Sequence, residues 1–280
     1  GTFTSNVVKA APVLWDKQIV EHSAFAQAVV VNSGIANACT GRQGLDCCEA
    51  EAKCAGELLG VPTDAVLVAS TGVIGMQIPV DKITAGIKKL VTAKADTLEA
   101  GSDAAHAIMT TDTISKEIAI ETEIGGKTVT LGGMCKGSGM IHPNMATTLA
   151  YVTTDAKCDS ADLQKMLHNA IDKSFNMCTV DGDTSTNDTM ILLANGASGV
   201  EVKTEEDKAA LAGLIEHICI DMARRIASDG EGATHLIVVE SYGLPTEHDA
   251  RLVAKAIAGM QIVKVIFVKN KLINLIVKPQ

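Results

Sequence analysis

Residues 136–149, KGSGMIHPNMATTL, combine several residue types that could carry out nucleophilic chemistry. Glycines, a lysine and a proline precede two adjacent threonines, and the small Ala146 stands directly before Thr147. A threonine hydroxyl is a weak nucleophile at neutral pH and needs a base, which a free α-amine on the same residue can supply. The pKa of such an amine is about 8 when unperturbed, so it can accept a proton near neutrality. Cleavage before Thr147 would create this base, and we therefore predict Thr147 as the nucleophile.

The composition of this stretch also permits two readings without a nucleophile. A tight turn, in which the threonines only hydrogen-bond the backbone, fits the local composition equally well. A phosphate cradle fits it less well, because a P-loop needs Gly-Lys-Ser/Thr, whereas the order here is Lys136-Gly137-Ser138. The stretch by itself leaves the nucleophile and the turn open.

Five motifs along the chain together resemble the ornithine acetyltransferase family of arginine biosynthesis. They are residues 32–38 (NSGIANA), 70–75 (STGVIG), 109–113 (MTTDT), 136–149, and 229–234 (DGEGAT). The resemblance runs from about Gly1 to about Gly259, and Ala146 and Thr147 fall where that family cleaves itself. It implies an α+β fold, a sandwich of β-sheets flanked by helices. It also implies self-cleavage into associated segments 1–146 and 147–280, assembled as a heterotetramer with two copies of each.

The resemblance also assigns an oxyanion hole to Thr71 and Gly72. Acyl transfer needs hydrogen-bond donors where negative charge builds on the carbonyl oxygen, and a hydroxyl plus a glycine N–H meets that need. A Ser/Thr turn after a strand is the alternative for these two residues.

Substrate contacts are implied for Thr110, Lys136 and Glu231, as well as for Thr147 itself. A fixed ammonium at Lys136 would hold an amino-acid carboxylate, and Glu231 would face a substrate ammonium. The alternatives are a solvated lysine and a glutamate that only forms a turn. The histidines form no recognisable Ser/His/Asp arrangement.

The activity implied is transfer of an acetyl group from N-acetylornithine to glutamate through an acetyl-threonine intermediate. No cofactor is expected, although acetyl-CoA is a possible second acetyl donor. After residue 259 the sequence departs from the family, which continues further and carries more substrate-contacting residues there. Two alternatives therefore stay open: an autoprocessing amidase or aminopeptidase, and an inactive, truncated assembly subunit.

Short strands and amphipathic helices must position these motifs. The predicted strands are residues 27–32, 65–69, 127–131, 149–154, 190–194 and 235–240, with two strands or a hairpin at 261–278 interrupted at 269–271. The predicted helices are residues 46–59, 80–93, 160–175, 205–228 and 246–258. Residues 33–44 are expected to form a loop, and 108–114 an exposed strand end. The elements alternate irregularly, without a repeat or G-x-G-x-x-G, which favours helices packed on sheets in an α+β fold.

Composition excludes several classes of partner. The net charge of -9 and the pI near 5.3 argue against nucleic acid or an anionic membrane. No apolar run reaches the roughly 20 residues that a spanning helix needs, so we expect a soluble protein.

The eight cysteines follow no disulfide framework or zinc-ligand spacing, which indicates reduced cytosolic thiols. The acidic run 181–188 lacks the spacing and final glutamate of an EF-hand, so we predict a polar active-site loop or a plain turn, and no metal. With no targeting segment visible, the expected location is the cytoplasm, or an organelle matrix for a eukaryotic source.

Overall fold

The computed structural model describes residues 1–23, 25–142, 148–266 and 274–279, with side chains up to residue 259. Its helices are α1 Ala11–His22, α2 Gly41–Leu59, α3 Val80–Ala93, α4 Leu98–Ala107, α5 Ser160–Asp172, α6 Glu205–Ser228 and α7 Glu247–Ala258. Its strands are β1 Thr2–Phe3, β2 Ala28–Ile35, β3 Val66–Val73, β4 Lys116–Ile124, β5 Lys127–Lys136, β6 Leu149–Thr154, β7 Thr189–Ala194, β8 Met260–Ile266 and β9 Asn274–Pro279. The predicted α+β class is confirmed.

A five-stranded sheet in the order β1-β7-β6-β5-β4 carries the larger core. β6 and β7 run parallel, and the other neighbours are antiparallel. One face packs on α5 and α6 through buried residues such as Leu131, Val152, Leu167 and Ile215. α6 begins where the sequence predicts, because Thr204 and Asp207 form a capping box at its first turn.

A second sheet, the parallel pair β2 and β3, lies between the first sheet and helices α1, α2 and α3. Side chains alternate along β3, as expected for a strand buried on both faces. Val66 and Val68 pack in a cluster with α1, α2 and α3. Leu67 and Ala69 pack in another with Tyr151 of the five-stranded sheet. The two sheets therefore lie face to face with helices outside them.

Several predicted boundaries differ from the structure. The helix predicted at 46–59 begins at Gly41, which shortens the expected loop 33–44, and the helix predicted at 160–175 ends at Asp172. A 3-10 turn, Phe175–Met177, follows it. Residues 108–114 are not a strand end, because Ile108 caps α4 and turns follow it.

The predicted strand 235–240 is wrong. These residues have no regular secondary structure, and Leu236, Ile237 and Val238 are exposed. β-branched residues favour a strand only where a neighbouring strand and a packed face receive them.

The C-terminal pair β8 and β9 is antiparallel and confirms the predicted hairpin. The predicted interruption at 269–271 lies outside the described residues. Within the described ranges, no helix has both the length and the apolar character needed to cross a membrane.

Candidate functional site

Thr71 and Gly72 lie on the part of β3 that continues beyond the predicted strand. The parallel register places them beside Ser33 and Gly34 of β2. Gly72 has φ +126°, and a Cβ there would lie 2.2 Å from the carbonyl carbon of Gly34, so the position requires glycine.

Asn187, just before β7, ties this end of the small sheet to the large one. Its side-chain amide donates hydrogen bonds to the backbone oxygens of Ala36 and Ser70, the latter at 2.8 Å. The polar residues on β3 are thereby fixed relative to the start of β7.

Lys136 ends β5 and is buried, with 8% of its surface exposed. Its Nζ lies 3.4 Å from Oγ1 of the half-buried Thr71. Burial lowers the pKa of Lys136, and the carboxylates of Asp112, Asp188 and Glu231 oppose that effect. The alternative of a solvated lysine is therefore wrong: the ammonium is held inside the protein.

A small cavity of about 30 Å³ lies beside Lys136. Its wall includes Thr71, Lys136, Thr148, Ser185 and Asp188. A cavity needs roughly 10–15 Å³ to hold a water molecule, so this one admits a water or a small substrate group.

Asp188 is buried at this cavity, with 2% of its surface exposed, and its Oδ2 has no hydrogen-bond partner among the described residues. Burial raises its pKa well above the usual value, and Ser185 and Lys136 offset that rise only in part. Burial thus favours the neutral form of this carboxyl group, and the nearby Lys136 ammonium favours the charged form. The N–H of Thr189 donates to the Thr148 oxygen at 2.8 Å, which places Asp188 alongside the residue after Thr147.

Glu231 is exposed and lies against the glycines that follow Lys136. Its N–H donates to the Ser138 oxygen at 2.9 Å. A Cβ built on Gly139 would lie 2.5 Å from Glu231 Oε1, so the carboxylate packs directly over that glycine.

Thr110 is exposed and reaches the same region through Asp112. The Asp112 carboxylate accepts hydrogen bonds from the Thr110 N–H at 3.1 Å and the Gly137 N–H at 2.7 Å. The structure thus gathers Thr110, Lys136 and Glu231 around residues 137–139.

The predicted nucleophile and cleavage pair, Thr147 and Ala146, lie outside the described residues. The described residues on either side are His142 and Thr148. His142 Nδ1 lies 2.9 Å from Thr179 Oγ1, and Thr148 lines the cavity. The sequence-based roles of the site residues, including Thr147, stay predictions.

Sequence reasoning offered a polar active-site loop or a plain turn for the acidic run 181–188, but it singled out no residue there as part of the site. Asp181 accepts a hydrogen bond from the Ile141 N–H at 2.9 Å, while Asn187 and Asp188 belong to the site described above. A dense polar run directly before a buried strand was the available signal. In the described ranges, no three His, Cys, Asp or Glu residues are grouped to hold a metal ion.

The fold and the site together define a two-sheet α+β protein with a buried, lysine-containing polar site where the sheets meet. The sequence profile of the ArgJ family matches residues 1–271. The chain therefore belongs to the ArgJ family.

Two bacterial relatives are named "Arginine biosynthesis bifunctional protein ArgJ". The one from Symbiobacterium thermophilum is 51% identical over 266 residues, and the one from Listeria monocytogenes (serovar 1/2a) is 48% identical over 265. Each match covers 94% of this chain, which spans 65% of the length of either relative.

A crystal structure of the ArgJ protein from Bacillus halodurans is also similar. It aligns with a TM-score of 0.50 and 46% identity over 52% of this chain and 75% of that chain.

Proposed function

We propose that the chain belongs to an acetyltransferase of arginine biosynthesis that moves an acetyl group from N-acetylornithine to glutamate. The observation that carries this proposal is the buried Lys136 ammonium, 3.4 Å from Thr71 Oγ1. A buried cation beside a hydroxyl suits an anionic amino-acid substrate with a reacting carbonyl group. Membership of the ArgJ family supports the reaction, and acetyl-CoA is proposed as a second donor.

In the proposed reaction, Thr147 Oγ adds to the acetyl carbonyl carbon while the free α-amine of Thr147 takes the hydroxyl proton. The Thr71 hydroxyl and the Gly72 N–H stabilise the oxyanion. The C–N bond then breaks, the departing nitrogen takes a proton, and ornithine leaves. The amine of glutamate attacks the acetyl-threonine ester, which returns the free hydroxyl and gives acetylglutamate.

Lys136, Glu231 and Thr110 are the proposed substrate-binding residues. Lys136 holds the substrate carboxylate in the buried part of the site, and Glu231 faces an ammonium at its exposed edge. This division follows from burial, because the cation lies inside the protein and the carboxylate at its surface.

The active form requires maturation in this proposal. Thr147 Oγ attacks the Ala146 carbonyl, the Ala146–Thr147 peptide bond breaks, and hydrolysis of the resulting ester frees the α-amine of Thr147. Segments 1–146 and 147–280 then stay associated and assemble as two copies of each.

A hydrolase is the second candidate, and one observation favours it. The cavity beside Lys136 has room for a water molecule, and water could discharge the same acyl-enzyme. Without an acceptor amino acid, an autoprocessing amidase would then release acetate from an acetyl-enzyme, and an aminopeptidase would release an amino acid from an aminoacyl-enzyme.

One experiment on the expressed chain tests both maturation and transfer. The chain should run as two fragments on a denaturing gel, and sequencing of the second should give Thr-Thr-Leu-Ala-Tyr. Incubation with N-acetylornithine should add about 42 Da to that fragment, the mass of one acetyl group expected for covalent catalysis. Ornithine release should rise with glutamate, whereas release independent of glutamate would favour the hydrolase.

Thr147→Ala should leave one uncut, folded chain, because it removes the attacking oxygen. Thr128→Ala, at an exposed threonine of β5, is the matched control and should be cut normally. Cleavage of the Thr147→Ala chain at the same bond would exclude Thr147 as the nucleophile of self-cleavage.

A further inference from the structure

Lys116, the first residue of β4, is a fully buried lysine outside the predicted substrate-binding set. Its Nζ lies 2.7 Å from Asp112 Oδ1 and 2.6 Å from Asp229 Oδ2. The lysine and Asp112 side chains are 0% exposed, and that of Asp229 is 5% exposed. Removing three charges from water costs several kcal/mol per ion, so such a group is a poor means of stabilising a fold.

Asp112 uses its remaining hydrogen-bonding capacity on two segments of the candidate site. It accepts from the Gly137 N–H, directly after Lys136, and from the Thr110 N–H. Burial acts to raise the pKa of Asp112, but Lys116 and these two N–H groups outweigh it and hold the pKa below its usual value. The carboxylate is therefore charged at neutral pH.

Asp229 links the segment that carries Glu231 to two other segments of the candidate site. Its carboxylate accepts from the N–H of Thr113 at 3.0 Å and also from the Thr113 hydroxyl. Its backbone oxygen accepts from Ser138 Oγ at 2.7 Å. Burial again acts to raise the pKa of Asp229, and Lys116 and Thr113 bring it below its usual value.

The two carboxylates thus reach three segments that are far apart in sequence: 110–113, 136–138 and 229–231. These segments hold Thr110, Lys136 and Glu231, and the Lys116 ammonium joins the two carboxylates. The Ser138 hydroxyl adds a direct hydrogen bond from segment 136–138 to the Asp229 backbone oxygen, which supports the same arrangement.

We propose that Lys116, together with Asp112 and Asp229, is a positioning centre that sets the separation between Lys136 and Glu231. This inference rests on the proposed function, in which those two residues hold the charged groups of an amino-acid substrate. The centre does not touch the reacting atoms, so its loss acts on substrate binding rather than on the chemical step. KM should therefore change more than kcat.

Asp229→Asn is the test variant, because it keeps the shape of the side chain and removes one of the two negative charges that face Lys116. Asp221→Asn is the matched control: it lies on α6, and its carboxylate pairs with Arg225 within that helix at 2.6 Å. For the proposed reaction, Asp229→Asn should raise KM for N-acetylornithine about tenfold and change kcat by less than about threefold. Asp221→Asn should leave both constants near the wild-type values.

Hydrogen–deuterium exchange gives a readout that needs no turnover. In Asp229→Asn, amide exchange should accelerate together in segments 110–114, 136–139 and 228–232, whereas Asp221→Asn should leave the first two unchanged. Acceleration confined to 228–232, or a fall in kcat at unchanged KM, would overturn the positioning role. If the wild-type chain transfers no acetyl group, the proposed function fails, and the exchange result still decides whether the three segments are coupled.

Ser138→Ala is the second variant, for use if Asp229→Asn does not fold. It removes only the hydroxyl bond to the Asp229 backbone oxygen and leaves all three charges in place. A KM increase of about threefold, with faster exchange in 136–139 and 228–232, is the expected result. Unchanged KM and unchanged exchange would contradict the proposal.

Discussion

Two parts of the molecule bury carboxyl groups to a similar degree but shift their pKa values in opposite directions. On α2, Glu51 is 0% exposed and neither carboxyl oxygen has a hydrogen-bond partner among the described residues. Burial raises its pKa to about 7. At the candidate site, Asp112 and Asp229 are also buried, but Lys116 and nearby N–H groups hold their pKa values below the usual range.

Burial alone therefore does not decide whether a carboxyl group is charged. Glu51 meets its desolvation cost by staying protonated in mildly acidic solution, whereas Asp112 and Asp229 meet theirs with a cation and directed donors. Charge is retained where segments that are distant in sequence must be held together. For Glu51, whose carboxyl oxygens have no hydrogen-bond partner among the described residues, burial favours the neutral form.

Lys116→Met would break the comparison most severely. It leaves two buried carboxylates without their cation, so the free energy of unfolding should fall by about 3–5 kcal/mol at pH 7. Urea unfolding measures this change. Lys208→Met is the control, because Lys208 pairs with Asp162 at a partly exposed site and its loss should cost about 1 kcal/mol or less. Equal losses in the two variants would show that the buried cation carries no special role.

Glu51→Gln tests whether burial raises the pKa of Glu51 and makes stability depend on pH. The unfolded chain releases the Glu51 proton near the usual pKa of 4.5, and the folded chain keeps it to about 7. Between these values the unfolded state binds fewer protons, so rising pH should remove about 3 kcal/mol of stability from the wild-type protein.

The Gln variant cannot ionise, so its unfolding free energy should fall less between pH 4.5 and 7. Glu57→Gln, at an exposed position of the same helix, should behave like the wild type. Parallel pH profiles for Glu51→Gln and the wild type would mean that folding does not raise the pKa of Glu51.

Gly139→Ala extends the comparison to Glu231, an exposed carboxylate. Of the three substitutions, it should change the free energy of unfolding least. The new Cβ would meet the flexible end of Glu231, which can move into solvent, so the loss should be below about 1 kcal/mol. Displacing Glu231 should nevertheless raise KM for N-acetylornithine in the proposed reaction. Gly86→Ala, in an open position of α3, is the control and should stabilise the fold by about 0.5–1 kcal/mol without changing KM.

Local sequence signals predicted the helices whose first residues carry a clear start signal, such as a proline or a capping box. α3 follows Pro79 and α6 begins with the Thr204 capping box, and both match their predicted bounds. The run 235–240 has the same β-branched composition as true strands, but it pairs with no strand in the described structure. Pairing is a property of the whole fold, so composition cannot supply it. Helices α1 and α4 and strands β1 and β4 were also missed, although β4 shows alternating burial.

The sequence predicted only those site residues that lie within the five motifs. Five motifs singled out Thr71, Lys136 and Glu231, which the structure places around one short segment. Asp112 and Lys116 are four residues apart, a spacing that resembles an ordinary surface pair. The second partner of Lys116, Asp229, lies 113 residues further along the chain, so nothing local in the sequence indicates the buried group.

The order of strands in the large sheet interleaves the parts of the chain on either side of the proposed cut. β7 and β6 follow residue 147, and they lie between β1 on one side and β5 and β4 on the other, all of which precede residue 143. The five strands thus form one continuous sheet, and neither the part before the cut nor the part after it supplies all of its strands. A break in the chain would not divide the protein into two domains. Each part alone would expose unpaired strand edges prone to aggregation, so the folding of either would depend on the effective concentration of the other.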